Sequence, residues 1–526
     1  MGYYLNPSDE GFRESRNGKI YVDKSELIAY TNSIISTPQK FACVSRPRRF
    51  GKTMAAKMLV AYYGHRLEAD DLFIDLKIAK ESSYAVHKNK YNVLMLNIID
   101  FLDADTPVKE AIKKLKKKIV REIVDEYPQI NFFDTDDFVE TLNDAYCGSG
   151  RKFVVIIDEW DCLFRVDAKD TEAERQYLDF LRAWMKDKEY IALAYMTGIL
   201  PVKKYGQHSN LNMFSEYSMI DPQALAEYFG FTESEVIDIC ERFEMPFEEV
   251  KAWYDGYYLH TPWSEEAVSI YSPRSVVESV RSKRLFNYWN QTETYEALKI
   301  YIQMDYDGLK ESIVTMLAGG NIEINPFKFA NDMTTFSKKD DVLALLVHLG
   351  YLCYDPVGST VSIPNKEVRA VYVDSIEDIG WNEVIKQIKN ANKLLKSLWE
   401  MDADTVARSI DEAHNEVSIL QYNDENALSY VINLAFFTAK EYYTVIRELP
   451  SGKGFADICF VPRKKFADKP AMLIELKWNK SVKGALHQIK SKEYAGVLDD
   501  YKENLLLIGI NYDREKKKHT CKIERY

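Results

Sequence analysis

Apolar residues in the first two hundred positions fall into two alternating textures. Short continuous apolar runs at Phe41 to Val44, Tyr91 to Ile99, Lys152 to Ile157 and Tyr190 to Met196 predict strands. Between them, Thr53 to Gly64, Pro107 to Tyr127 and Glu172 to Asp187 repeat apolar residues every three to four positions and predict amphipathic helices. A strand that is apolar at every position must be covered on both faces, so the pattern predicts an α/β fold with a parallel sheet under helices.

From residue 221 to residue 373 the texture is mostly helical. Pro222 to Phe229, Thr232 to Phe243 and Phe247 to Tyr254 predict a small helical lid, and Ser272 to Arg284 and Asp340 to Gly350 predict two further helices. The last is followed by Tyr351 to Tyr354, a Pro356-Val357-Gly358 turn and Val361 to Asn365, which suggests a winged-helix-like element. The aromatic cluster Trp253, Tyr254, Tyr257 and Tyr258 reads as core or lid packing rather than a base-stacking platform.

A second α/β texture follows. Val384 to Met401, Asp404 to Leu420, Asp424 to Ala439 and Val482 to Leu498 predict helices; Tyr442 to Glu448, Phe455 to Val461, Ala471 to Trp478 and Leu505 to Ile510 predict strands. No Gly/Ser-rich linker separates the halves. We place three regions at 1–220, 221–380 and 381–526.

Composition narrows the class. At 526 residues the chain exceeds one core, and its 46% apolar and 29% charged residues are those of a globular protein. No apolar run approaches the ~18 to 20 residues that cross a bilayer, and the start lacks a basic segment followed by an apolar one, so we expect a cytoplasmic protein without a membrane anchor. Seven cysteines occur singly, with no C-x-x-C pair, against both a zinc site and a disulfide framework. A net charge of −12 confines any nucleic-acid contact to local basic patches. The richest, Lys113 to Lys118, carries apolar residues at helical spacing and reads as a solvated helix face.

The chemistry begins where the first strand ends. Ser45-Arg46-Pro47-Arg48-Arg49-Phe50-Gly51-Lys52-Thr53 closes on the Gly-Lys-Thr of a phosphate-binding loop, although Arg46 stands where the G-x-x-x-x-G-K-[ST] spacing puts its first glycine. Strand, loop and helix in that order turn backbone amides toward phosphates. Lys52 would reach the β and γ phosphates of ATP and the Thr53 hydroxyl would ligate Mg²⁺, with Arg49, Phe50 and Gly51 completing the loop. A second apolar strand runs into Asp158-Glu159: Asp158 would help hold the Mg²⁺ and Glu159 could polarise an attacking water. Thr197, ending the next strand, is a candidate γ-phosphate sensor, equally well read as a strand end before a turn. Arg165, Lys203 and Lys204 are open alternatives for neutralising transition-state charge.

A second constellation lies near the C-terminus. Asp457 precedes Glu475 and Lys477 on successive strands, the D…E-x-K arrangement of PD-(D/E)XK nucleases. Asp457 and Glu475 offer carboxylate oxygens to Mg²⁺; Lys477, two residues on, shares the face of Glu475 and could orient a water or stabilise charge on a phosphodiester. The plain alternative is a surface ion pair.

Tyr21-Val22-Asp23-Lys24-Ser25, the Arg-Pro-Arg-Arg-Phe-Gly-Lys-Thr run, Ile157-Asp158-Glu159-Trp160-Asp161, Thr197-Gly198-Ile199, Trp253-Tyr254-Asp255-Gly256-Tyr257 and Ile363 to Arg369 together resemble the predicted AAA-ATPase-like family of prokaryotic proteins, which usually ends in a PD-(D/E)XK nuclease-like domain. The resemblance implies a P-loop ATPase sheet with a helical lid and winged-helix-like middle, then a restriction-endonuclease-like α/β domain. It makes Arg46 a family trait, sets Asp23 and Lys24 near the nucleotide pocket or on a surface turn, and makes Glu425 an extra metal ligand, with Gln488 a weaker carry-over. The expected function is an ATP-binding and hydrolysing protein that regulates a Mg²⁺-dependent nuclease acting on DNA or RNA. The alternative is a nucleotide-controlled interaction module with a non-catalytic nuclease-like domain. AAA-type relatives often form rings, so a homo-oligomer stays open.

Overall fold

The structure is a computed structural model that describes residues 2–65, 72–101, 106–166, 170–202, 211–261, 267–289, 294–304, 306, 308–317, 319–329, 336–416, 439–451, 454–463, 466–491 and 498–526. The chain divides into two compact units, residues 1–309 with 323–371, and residues 310–322 with 372–526.

The first unit is built on a five-stranded sheet in which every neighbouring pair is parallel. Phe41–Ser45 (β1), Asn92–Asn97 (β2), Phe153–Asp158 (β3), Ile191–Gly198 (β4) and Ser215–Tyr217 (β5) lie in the order β2-β3-β4-β1-β5. Every residue of β1, β3 and β4 is buried, which is what their unbroken apolar runs require. β5 was not anticipated, because Ser-Glu-Tyr is too short and polar to read as a strand; it forms by pairing with β1.

The helices start where local chemistry supplies a cap. Asp137 accepts from the amides of Val139 and Glu140 ahead of Phe138–Ser149, and Asp170 accepts from Ala173 ahead of Thr171–Met185. In Val108–Glu126, Leu115, Ile119 and Ile123 are buried while Lys113, Lys114, Lys117 and Lys118 are exposed, so the lysine run is a helix's outer face.

The lid departs from its predicted form. Pro222 to Phe229 is not a helix: only Gln223–Leu225 makes a 3-10 turn, and the carbonyl of Leu225 is taken by the Arg46 side chain instead of a helical amide. The helices Glu233–Arg242, Phe247–Tyr254 and Pro273–Ser282 are present, the first held by a Thr232/Glu235 capping box. They enclose a small antiparallel sheet that the helical texture hid: Phe231–Thr232 (β6), Tyr257–His260 (β7) and Ala267–Tyr271 (β8), in the order β6-β8-β7. The predicted aromatic packing is observed for Tyr254 and Tyr257, which are fully buried, while Tyr258 stays exposed on the other face of its strand. The winged-helix-like element forms as expected, with helix Lys339–Leu349 followed by antiparallel strands Cys353–Asp355 and Thr360–Ser362.

Among the contacts that bind the lid to this element and the segment after it are a close backbone approach and a buried carboxylate. Gly256 has φ +147°, and a Cβ there would lie 1.7 Å from the Pro364 carbonyl oxygen, so only glycine fits. The buried carboxylate of Glu367 accepts from Ser275 Oγ at 2.8 Å and from the amides of Tyr288 and Trp289 at 2.6 and 2.9 Å.

The second unit is a mixed five-stranded sheet, with strands Tyr443–Ser451, Gly454–Pro462, Ala471–Trp478, Leu505–Asp513 and Lys518–Arg525 adjacent in that order. Ala471–Trp478 and Leu505–Asp513 are parallel and the other pairs antiparallel; helix Val482–Ser491 makes the crossover between the parallel pair. Alternation sends Ile458, Ile474 and Ile508 to a core with Leu394 and Leu398 of helix Asn382–Trp399, and Cys459, Leu473 and Leu507 to a second core with Leu486 and Ile489. The final strand was missed, because Lys518–Arg525 is charged on its exposed positions and buries only part of its inner face. The helix expected at Asp424 to Ala439 and the end of that expected to Leu498 fall largely outside the described residues. Among those described, no helix is long and apolar enough to cross a membrane.

Burial pushes the Glu367 carboxyl up to about 7, against the lowering effect of its three hydrogen bonds. A carboxyl whose folded value is raised contributes stability that is complete below its ordinary value and is lost as pH rises through about 7. Glu367→Gln keeps an oxygen for the two amides and an NH₂ for Ser275 Oγ but cannot ionise. Its melting temperature should equal the wild type's near pH 5 and exceed it at pH 8; a difference that does not change with pH would contradict this.

Candidate nucleotide and metal sites

β4 lies between β1 and β3 in the sheet, and the ends of β3 and β4 meet the first turn of the helix after β1 at one carboxylate. Asp158, 1% exposed, accepts from Thr53 Oγ1 at 2.7 Å through one oxygen and from the Thr197 hydroxyl through the other. Three residues singled out separately in the sequence thus become one cluster. A threonine hydroxyl beside a carboxylate is a hard oxygen donor pair, which fits Mg²⁺ held by one or two protein ligands together with phosphate oxygens. Gly51 caps helix Lys52–Tyr63 at φ +91° with open space where a Cβ would sit, so backbone conformation alone selects glycine.

Lys52 is buried and donates to the carbonyls of Arg46 and Pro47, both at 2.9 Å, bracing the loop from within. Burial lowers its pKa, while Glu159, then Asp161 and Asp158, act in the opposite direction. Glu159 follows with φ +53° and is ion-paired with Arg165, which also reaches Asp161 at 3.2 Å. Arg165, one candidate for transition-state charge, therefore faces the acids of this site; Lys203 and Lys204 lie outside the described residues. Asp161, given no role from sequence, accepts from the amides of Ile199 and Leu200 at 3.0 and 2.8 Å and fixes the chain leaving β4.

Arg46 resolves the irregular motif. Its guanidinium is fully buried behind the loop and donates to the carbonyls of Ser45, Tyr217 and Leu225 at 2.9, 2.7 and 3.0 Å, with the Phe229 ring 5.4 Å away. Desolvation pulls its pKa down to about 10. The side chain is thus a tie between the loop, β5 and the lid.

Beside Gly51 opens a cavity of about 320 Å³, within the range of small-molecule pockets. Phe12, Val22, Met54, Tyr228 and Val277 give it apolar walls, and Lys24, Arg274 and Glu278 add charge. None of those apolar residues was legible as a site beforehand, since each belongs to a different element. Phe50 lines the cavity and packs edge-on against Tyr257 and Trp289, with centroids 5.5 and 6.5 Å away. The exposed Arg49, at φ +69°, lines a separate narrow cleft. Lys24 also donates to Glu235 and the Glu227 carbonyl, both at 2.6 Å, whereas Asp23 caps a turn through the amides of Ser25 and Lys77.

In the second unit the paired register ends at Ile458 across from Ile474, and one further step along both strands brings Asp457 opposite Glu475, with Lys477 on the face of Glu475. Lys477 Nζ lies 2.9 Å from Glu475 Oε1, and Asp457 Oδ2 accepts from the Leu476 amide at 2.6 Å. Glu475 is 1% exposed, a burial unlike that of a surface pair. Among the described residues no three His, Cys, Asp or Glu side chains form a metal-sized group. The two carboxylates fit a hard cation but leave its remaining coordination to other donors. Glu425 lies outside the described residues; Gln488 is on helix Val482–Ser491.

Replacing Arg46 by glycine would complete the usual spacing and yet remove a buried tie. Arg46→Gly should lower unfolding free energy in urea by about 3 kcal/mol, from a cavity and three orphaned carbonyls. An unchanged or raised stability would show that the arginine is not structural.

Residues 10–207 match the family described as Predicted AAA-ATPase, and residues 424–522 match the PD-(D/E)XK nuclease superfamily. An uncharacterized protein in the vnfD 5′ region of Azotobacter chroococcum mcd 1 is 26% identical over 263 residues, 48% of this chain and 47% of that protein. The chain thus spans about half the length of this curated relative. Among solved structures, Cdc6p from Pyrobaculum aerophilum is 11% identical with a TM-score of 0.26, covering 71% of this chain and 99% of that one. The Aeropyrum pernix ORC2 protein, solved as ADPNP–ADP complexes, is 12% identical with a TM-score of 0.31, covering 70% and 98%. Overlaps this low carry no argument. The chain joins a predicted AAA-ATPase region at residues 10–207 to a PD-(D/E)XK nuclease superfamily region at residues 424–522.

Proposed function

We propose that the first unit binds and hydrolyses ATP with Mg²⁺ and that this controls a Mg²⁺-dependent phosphodiesterase of the second unit, acting on DNA or RNA. The observation that carries the first half is the meeting of Thr53 and Thr197 on the Asp158 carboxylate, one strand from the phosphate loop. Lys52 would exchange its two carbonyl partners for phosphate oxygens, a charge-assisted contact stronger than the ones it leaves. Thr53 and Asp158 would hold Mg²⁺, which supplies charge neutralisation on the phosphates when bound. Glu159 would orient water, and the adjacent 320 Å³ cavity would take the nucleoside.

For the second half, Asp457 and Glu475 would hold the metal while Lys477 places positive charge beside the scissile phosphate. The interaction-module reading has its own support in the Lys477–Glu475 pair, which occupies a carboxylate oxygen that catalysis would need.

Two measurements separate these readings. Lys52→Ala should weaken ATP binding at least about tenfold in titration calorimetry, and Asp158→Asn should remove its dependence on Mg²⁺; wild-type affinity in Lys52→Ala would reject the nucleotide site. With DNA and RNA substrates, Mg²⁺ and ATP, cleavage should be abolished by Asp457→Ala and by Lys477→Ala. Intact substrates in every combination would leave the second unit as a binding module.

A further inference from the structure

Helix Val108–Glu126 carries seven basic residues and one acid between Val108 and Arg121, in a chain whose net charge is −12. Its apolar Leu115, Ile119 and Ile123 are buried, while Lys109, Lys113, Lys114, Lys117, Lys118 and Arg121 are exposed. Lys109, Lys113, Lys117 and Arg121 follow one another at four-residue spacing, about 6 Å apart along the axis, and form a row about 18 Å long. Lys116 is drawn aside, its Nζ 5.0 Å from the ring centre of Phe180 and 5.9 Å from that of Phe138.

The carboxylates of the helix leave this face uncompensated. Among the described residues, Lys109, Lys113, Lys114, Lys117 and Arg121 form no ion pair. Glu122, four residues after Lys118 and so spaced to pair with it, instead accepts from the amides of Tyr3, Tyr4 and Leu5 at 3.1, 2.8 and 2.8 Å. The row also works against its own helix. Like charges four residues apart repel, and of the charges in the first and last turns, Lys109, Glu110, Asp125 and Glu126, only Glu110 suits the macrodipole. Fold stability therefore does not account for the row, whereas a polyanion laid along it would relieve the repulsion.

What the face lacks selects the occupant. A helix that lies on a membrane keeps its apolar stripe for the bilayer, and here that stripe is buried in the protein. A protein partner needs apolar or aromatic anchors, and no large apolar side chain of this helix is exposed. Single-stranded nucleic acid needs rings to stack on, and the helix carries none. A straight row of point charges suits a duplex, which presents about one phosphate charge per 1.7 Å of its axis.

We propose that Lys113, Lys114, Lys117, Lys118 and Arg121 bind the phosphate backbone of a double-stranded nucleic acid without reading its sequence. This rests on neither hydrolytic site, since the face needs no nucleotide and no metal.

Fluorescence anisotropy of the full chain with a labelled DNA duplex of about 20 base pairs, without Mg²⁺ or ATP, tests this between about 50 and 200 mM salt. Wild type should bind, with log affinity falling linearly against log salt. Lys113→Gln/Lys117→Gln should weaken binding about tenfold or more and reduce that slope by about 2, equally on duplexes of different sequence. Lys113→Arg/Lys117→Arg should bind as wild type does. Because the row opposes helix stability, the glutamine pair should melt at or above the wild-type temperature, which separates lost binding from misfolding. A failure of ATP binding or of cleavage would leave these outcomes untouched. No binding by wild type at the lower salt, an unchanged slope in the glutamine pair, or a loss seen in Lys477→Ala but not in that pair would overturn the proposal. So would binding to phosphatidylglycerol vesicles without binding to the duplex.

Discussion

The Asp158 carboxylate is the point on which the hydrogen bonding between the phosphate loop's helix and the strand ends turns. A buried carboxylate is tolerated only where hydrogen bonds satisfy it, and here the donors are hydroxyls from the first turn after β1 and from the end of β4. The same bonds set the spacing between phosphate loop and acidic strand. Parallel strands end at a common edge, so the sheet order that inserts β4 between β1 and β3 also inserts Thr197 between loop and acid.

Around that point, buried polar side chains tie neighbouring elements. Arg46 spans from the loop to β5 and the turn before the lid, Asp161 pins the segment after β4, and Glu367 fastens the lid helix to the segment carrying Trp289. Each satisfies backbone groups that no sheet or helix supplies, in segments too irregular to do so themselves. Glu367 also adjoins a run of packed rings: Phe50 of the loop packs on Tyr257 and Trp289, and the Trp289 amide donates to Glu367.

Legibility followed periodicity. β1 to β4 and their covering helices were readable because burial on both faces forces unbroken apolar runs. β5, β6 and β8 were not, being two to five residues long and defined by partners distant in sequence. Pro222 to Phe229 had a helical texture, but Arg46 takes a carbonyl there and Pro222 and Gly230 bound the segment. In the second unit the Glu475-x-Lys477 spacing already implied a shared face, and the structure added Asp457, whose carboxylate accepts from the Leu476 amide between them.

The sequence by itself determined the phosphate loop, the acidic strand end, the D…E-x-K spacing and the order of the α/β regions, because each is written in contiguous residues. Only the tertiary structure decided that Thr53, Asp158 and Thr197 share hydrogen bonds and that Arg46 turns inward. Those outcomes depend on which strands are neighbours and on where a buried charge finds carbonyls, and neither is a property of any local stretch of chain.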